Sequence, residues 1–121
     1  MNPDRVSPGG ILLPPSILPE ESEARKGIPI YSGVMAYFPL ALAEIAKLSW
    51  FGNNKHNPGE PLHWSRAKSD DHADCIGRHL LEHGEFDSHG NRHSAGLGWR
   101  ALALLQVEME RAGGPKARGA R

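Results

Sequence analysis

The stretch PLALAEIAKLSWF at residues 39–51 decides the fold. Proline has a fixed φ that suits the first helical position, and Gly52 follows as a stop, so a helix is expected over 39–51. Leu42, Ile45 and Ser49, with Ala41 and Leu48, recur at the 3.6-residue period of a face packed against other helices. Two further helices are expected downstream. One starts after Ser69 as N-cap, puts Asp70 and Asp71 in the positive first turn, carries Ala73, Ile76, Gly77, Leu80 and Leu81 as its apolar stripe, and stops at Gly84. The other runs over 94–112, with Ala95, Gly98, Trp99, Leu102, Leu105 and Met109 on one face and Gly113 as its end. Gly96 and Gly98 would let a neighbouring helix approach closely, at some cost in helix propensity.

Outward from these helices the chain changes character. Residues 1–30 hold six of the ten prolines and a mixed-charge run, Glu20, Glu21, Glu23, Arg25 and Lys26, which reads as an extended arm. Residues 31–112 read as the helical domain. The last stretch, 113–121, follows a Gly113-Gly114-Pro115 break, carries basic and no acidic residues, and reads as a disordered tail. Residues 52–68 form a 17-residue connection rich in Asn, Gly and Pro, and a loop of that length is usually functional or disordered. The fold class expected is all-α. Three helices over roughly 75 residues supply only about 3 to 5 kcal/mol of core stability, so a homo-oligomer, dimer or tetramer, is expected to complete the bundle.

Composition bounds the function. Across 121 residues, 14 Lys+Arg balance 14 Asp+Glu, which removes the basic footprint of a nucleic-acid binder. Cys75 is the single cysteine, so no disulfide framework exists and a reducing cytoplasm suits the chain. The apolar stretch 34–48 is broken by Pro39, Glu44 and Lys47, and no membrane or export segment is expected. All seven histidines fall between His56 and His93.

Several residues could carry chemistry. Glu44 lies at the edge of the first helix's apolar face, either reaching water or partly desolvated beside Leu40 and Leu48. Asp71 and Asp74 stand three apart on the second helix with Arg78 beyond. They could join a carboxylate of another helix in an oxygen cage for Mg²⁺ or Mn²⁺. Taken alone, the spacing favours a helix-dipole role for Asp70 and Asp71 and an Asp74–Arg78 pair. His72, His79 and His83 share an edge, which keeps a structural zinc module open as an alternative. The sequence offers Asp71-His72 but no His-Asp dyad, which disfavours a His–Asp phosphohydrolase. Lys55 could reach a polyphosphate and Trp64 could stack on a base. Asp87, Gly90 and His93 form a D-x-x-G-x-x-H string in the turn before the third helix.

Taken in order, these segments resemble the phage-type dATP/dGTP diphosphohydrolases, which are related to the MazG-like all-α nucleoside triphosphate pyrophosphohydrolases. The likeness covers about residues 36–110. It is carried by the Pro-initiated helix with Glu44, by Phe51-Gly52-Asn53-Asn54-Lys55-His56 and Trp64, and by Asp74 four before Arg78-His79-Leu80-Leu81. Gly84-Glu85, Asp87, Gly90 and His93 then lead to Trp99 and the run 101–105. The wider MazG-like pattern has a second acidic residue where Lys47 stands, and the phage family has a second His where Gly96 stands and Asn where Arg100 stands. The resemblance implies Mg²⁺- or Mn²⁺-dependent hydrolysis of a purine deoxynucleoside triphosphate, dGTP or dATP, to the monophosphate and pyrophosphate. In a phage it implies remodelling of the nucleotide pool in the host cytoplasm. Glu44, Asp71 and Asp74 would be metal ligands. Glu44, Asp74 and His79 would serve the chemistry, with Lys55, Arg78 and His79 on phosphates and Asn53, Trp64 and His93 on base and sugar. The contrasting expectation is a non-enzymatic helical interaction protein.

Overall fold

A computed structural model describes residues 9–10 and 16–121; Pro3, Pro8, Pro14 and Pro15 lie outside the described residues. The chain divides into two compact units, residues 1–36 and 37–121. In the first, Glu21 accepts hydrogen bonds from the N–H groups of Glu23 and Ala24 and so caps a short helix, α1 (Ser22–Lys26). A single π turn, Tyr31–Met35, follows. The arm expected over residues 1–30 therefore contains a helical turn where Glu21 outweighs the surrounding prolines.

The second unit is helical, consistent with the all-α expectation. It contains α2 (Pro39–His56), a 3₁₀ turn (Arg66–Lys68), α3 (His72–Leu81) and α4 (His93–Arg111). Pro39 starts α2 as expected, but Gly52 does not end it. The helix runs one turn further because Asn53 and Asn57 are buried and spend their side chains on the following loop. Asn53 donates to Glu60 O (3.0 Å) and accepts from Asn57 Nδ2 (3.2 Å) and His63 N (3.3 Å). Asn57 Oδ1 in turn accepts from Ser65 Oγ at 3.0 Å. These bonds satisfy loop groups that would otherwise be stranded, and Gly59, at φ 78°, makes the reversal.

Helix α3 is shorter than expected, beginning at His72. Ser69 does not cap it; its hydroxyl donates to Asp71 and accepts from Arg100. At the far end Gly113 adopts φ 107° just past α4, the left-handed stop expected of it.

Helix α4 is the central element, packed against both α3 and α2. Its two glycines explain how. A Cβ on Gly96 would come 2.6 Å from His79 Nε2 of α3, and one on Gly98 would come 2.8 Å from Ile45 Cδ1 of α2. The close approach expected of these positions is realised on opposite neighbours. Among the described residues, Ala95 and Ala103 are the buried apolar side chains. The buried line of α4 is rotated from the apolar stripe. Gln106 and Glu110 turn inward, while Leu102, Leu105 and Met109 remain exposed.

The cause lies in the last residues of the chain, where the expected disordered tail is instead bonded to the domain. Trp64 N donates to Gly119 O (2.7 Å), Arg121 N to Trp64 O (2.8 Å) and Arg66 N to Arg121 O (2.7 Å). Glu110 anchors this attachment by accepting from Arg66 (2.6 Å), Gln106 (2.8 Å) and Ala117 N (3.2 Å). The Arg66 guanidinium first, then the Gln106 amide, bring its carboxyl from 4.5 down to about 2. A depressed carboxylate contributes stability that is complete above pH 4.5 and is lost as pH falls through about 2. The Ala117 amide proton resonance is therefore expected to lose its hydrogen-bonded shift across that window, and in Glu110→Gln to weaken at neutral pH. An Ala117 amide indifferent to both changes would contradict this anchoring.

Candidate functional site

A cavity of about 1030 Å³ opens in the second unit, a volume that suits a small-molecule ligand. Its apolar wall includes Phe51, Trp99 and the exposed Leu102, Leu105 and Met109. Among the described residues its charged lining is three cations, Lys55, Lys68 and Arg100, against the one carboxylate of Asp87.

Asp87 is already occupied. Burial works to raise its carboxyl, but the backbone N–H groups of Asn91 (2.9 Å) and His89 (2.8 Å) outweigh it and hold the group below its ordinary value. With Gly90 at φ 82°, these bonds close the D-x-x-G-x-x-H turn. His93 N donates to Glu85 O at 3.0 Å, delivering His93 to the start of α4. The motif is thus a device for placing one imidazole.

Aromatic side chains brace the wall. Trp64 carries the Arg66 guanidinium 3.8 Å from its ring centroid and meets Trp99 edge-on at 5.6 Å. Trp99 Nε1 donates to Ser49 Oγ at 2.8 Å, tying α4 to α2.

Beside the cavity sits a polar cluster at the start of α3. Asp71 accepts from Ser69 Oγ and from Arg78 at 3.1 Å, with Arg100 at 4.0 Å. The Ser69 hydroxyl first, then the Arg78 guanidinium, hold its carboxyl well below the usual range. The pair made by Arg78 is therefore with Asp71, two turns away, rather than with Asp74. Arg100 also bonds Ser69 Oγ (2.9 Å) and contacts Nδ1 of the buried His72 at 3.1 Å. Burial, then Arg100, push the His72 imidazole below its ordinary value, which favours a neutral ring that can accept from the guanidinium.

Of the residues expected to act, Asn53, Lys55, Trp64 and His79 line the cavity. Asn53 spends its amide on the loop, as described. Lys55 makes no bond within the described chain. His79 lies across from His93, Nδ1 to Nδ1 at 3.0 Å. Glu44 is paired with Lys47 at 3.0 Å, the residue standing where a second acid was expected, and Asp74 is exposed with no side-chain partner among the described residues. Among the described residues no three His, Cys, Asp or Glu side chains gather as a metal-binding group. Neither Glu44, Asp71 and Asp74 nor His72, His79 and His83 therefore form a cage within one chain. His72 faces Arg100, His79 faces His93, and His83 bonds Leu80 O at 2.7 Å.

Sequence reasoning missed the roles of Arg100, His72 and Lys68. Arg100 and Asp71 stand 29 positions apart, and such a long-range pairing has no periodic signature. Among the described residues no single helix is long and apolar enough to cross a membrane. The chain matches no protein-family model, and no curated protein or solved structure shows similarity to it.

Proposed function

We propose that the protein hydrolyses a purine deoxynucleoside triphosphate to the monophosphate and pyrophosphate, with Mg²⁺ or Mn²⁺, in the cytoplasm. The observation that carries this reading is the cavity, which combines an aromatic and aliphatic wall with an excess of cationic side chains. An apolar wall suits a base and the cationic excess suits a polyphosphate, two properties that nucleotides combine in one molecule. Lys55, Lys68 and Arg100 bind the phosphates, and Trp99 and Phe51 offer ring surface to the base.

A divalent ion would neutralise triphosphate charge and lower the pKa of a bound water. Glu44, Asp71 and Asp74 do not fit a cage within one chain, because Asp71 is held by Arg78 and Glu44 by Lys47. The reading therefore includes a homo-oligomer, in which a second copy brings further ligands to Glu44 and Asp74. Leu80 and Leu81 are exposed and lie outside the cavity lining, and burying such side chains at about 25 cal/mol per Å² is the driving force available for that assembly.

Nucleotide binding is checked by intrinsic fluorescence in a Trp50→Phe background, which removes the exposed indole outside the cavity. dGTP or dATP is expected to quench Trp64 and Trp99 saturably, and Arg100→Ala to weaken binding about tenfold. Quenching that is absent, or equal with an uncharged nucleoside, would overturn the phosphate assignment.

A further inference from the structure

The imidazoles of His79 and His93 meet Nδ1 to Nδ1 at 3.0 Å across the α3–α4 packing. Two ring nitrogens at that distance need one donor and one acceptor, so only one ring carries its proton on Nδ1. The choice is made outside the pair. Glu82 Oε2 lies 3.6 Å from His93 Nε2, and a carboxylate there favours the proton on that nitrogen. Neutral His93 then has a bare Nδ1, His79 must donate from its own Nδ1, and neutral His79 is left with a bare Nε2.

That nitrogen is accessible. His79 Nε2 makes no bond within the described chain, and the buried polar side-chain atoms lacking a partner among the described residues are Arg66 Nε and Asn91 Nδ2. His79 and Gly96 both line the cavity, and the missing Cβ of Gly96 leaves the ring its space. Among the described residues, the charged and titratable groups acting on the pair are Arg78 on α3, Glu82 just past its end, Asp87 in the turn, and Arg100 on α4. Burial, then His93 and Arg100, push the His79 imidazole below its ordinary value, so the ring is neutral near pH 7.

We propose that Glu82 and His93 are positioning residues that fix His79 as its Nδ1–H tautomer, so that its Nε2 lone pair receives a proton from the attacking water. The proposal rests on the hydrolytic reading above. In the step, the water oxygen bonds to the α phosphorus and its proton passes to Nε2. The bond from the α phosphorus to the bridging oxygen breaks, and its electron pair leaves with pyrophosphate. The imidazolium then returns its proton to solvent.

Long-range ¹H–¹⁵N correlation spectra of the full chain at pH 7.5 test the tautomer without any turnover. In the wild type, His79 is expected to show a protonated Nδ1 and a bare Nε2. In Glu82→Ala its two nitrogens are expected to shift toward the average of mixed tautomers, with Glu82→Gln shifting less in the same direction. A protonated Nε2 in the wild type, or no shift in Glu82→Ala, would overturn the positioning role. In the turnover assay kcat/KM of Glu82→Ala is expected to fall about tenfold, with the acid limb of the pH profile following the His79 titration. The expected spectra without hydrolysis of any nucleotide would leave the tautomer assignment standing and overturn its catalytic use.

Discussion

Replacing Trp99 with alanine is expected to cost about 3 kcal/mol of stability, toward the lower end for loss of a large aromatic because the side chain is half-buried. Trp99 ties three pieces of the domain together. Its indole N–H bonds Ser49 of α2, its ring meets Trp64 edge-on, and Arg100 reaches back over it at 5.6 Å. Little else compensates, since among the described residues the buried apolar side chains are two alanines. In a domain whose core supplies only about 3 to 5 kcal/mol, such a loss leaves a large unfolded population at room temperature. Trp99→Phe keeps ring contact and loses the Ser49 bond, so it is expected to cost about 1 kcal/mol. Urea midpoints of the two variants check this ordering. A Trp99→Ala midpoint matching the wild type would contradict the role given to the indole.

Glu44→Gln and Asp74→Asn are each expected to lower turnover by about 100-fold or more, the equivalent of several kcal/mol of transition-state charge stabilisation. Their unfolding midpoints should stay close to that of the wild type. Among the described residues Glu44 pairs with Lys47, three residues along its own helix, and the two side chains are 42% and 72% exposed. Exposed pairs of that kind contribute little to stability. Asp74 holds no partner at all within the described chain. A large activity loss with unchanged stability therefore has no structural explanation in a single copy and points to ligation. Near-normal rates in both variants would remove these carboxylates from the site.

What was legible in the sequence was what depends on neighbours in sequence. Proline starts α2, Gly113 ends α4, and Gly96 with Gly98 mark where other helices press in. These rest on backbone geometry and on the absence of a Cβ, which a one-dimensional pattern reveals. The extra turn of α2 was not legible, because its stability comes from Asn53 and Asn57 bonding a loop that had yet to be placed. Nor was the tail, since Trp64 and Gly119 pair through backbone groups that every residue carries. The rotation of α4 follows from the same contact. Apolar periodicity predicts Leu105 and Met109 inward, but Glu110 is drawn in by Arg66 from 44 residues away.

The candidate site divides along the same line. Lys55 was recognisable as a residue type suited to phosphates, His79 was expected on phosphates through the resemblance, and both line the cavity. Asn53 was expected on base or sugar through the resemblance, but its amide serves the loop. Arg100 drew attention only as a residue standing where asparagine was expected. In the fold it becomes the cation that joins Ser69, His72 and the cavity.

The most direct test of nucleotide hydrolysis is incubation of the full chain with a panel of nucleoside triphosphates and Mg²⁺ or Mn²⁺, with products resolved by chromatography. The expected result is deoxynucleoside monophosphate and pyrophosphate in equal amounts from dGTP or dATP. Nucleoside plus inorganic triphosphate, or no turnover of any nucleotide, would contradict it.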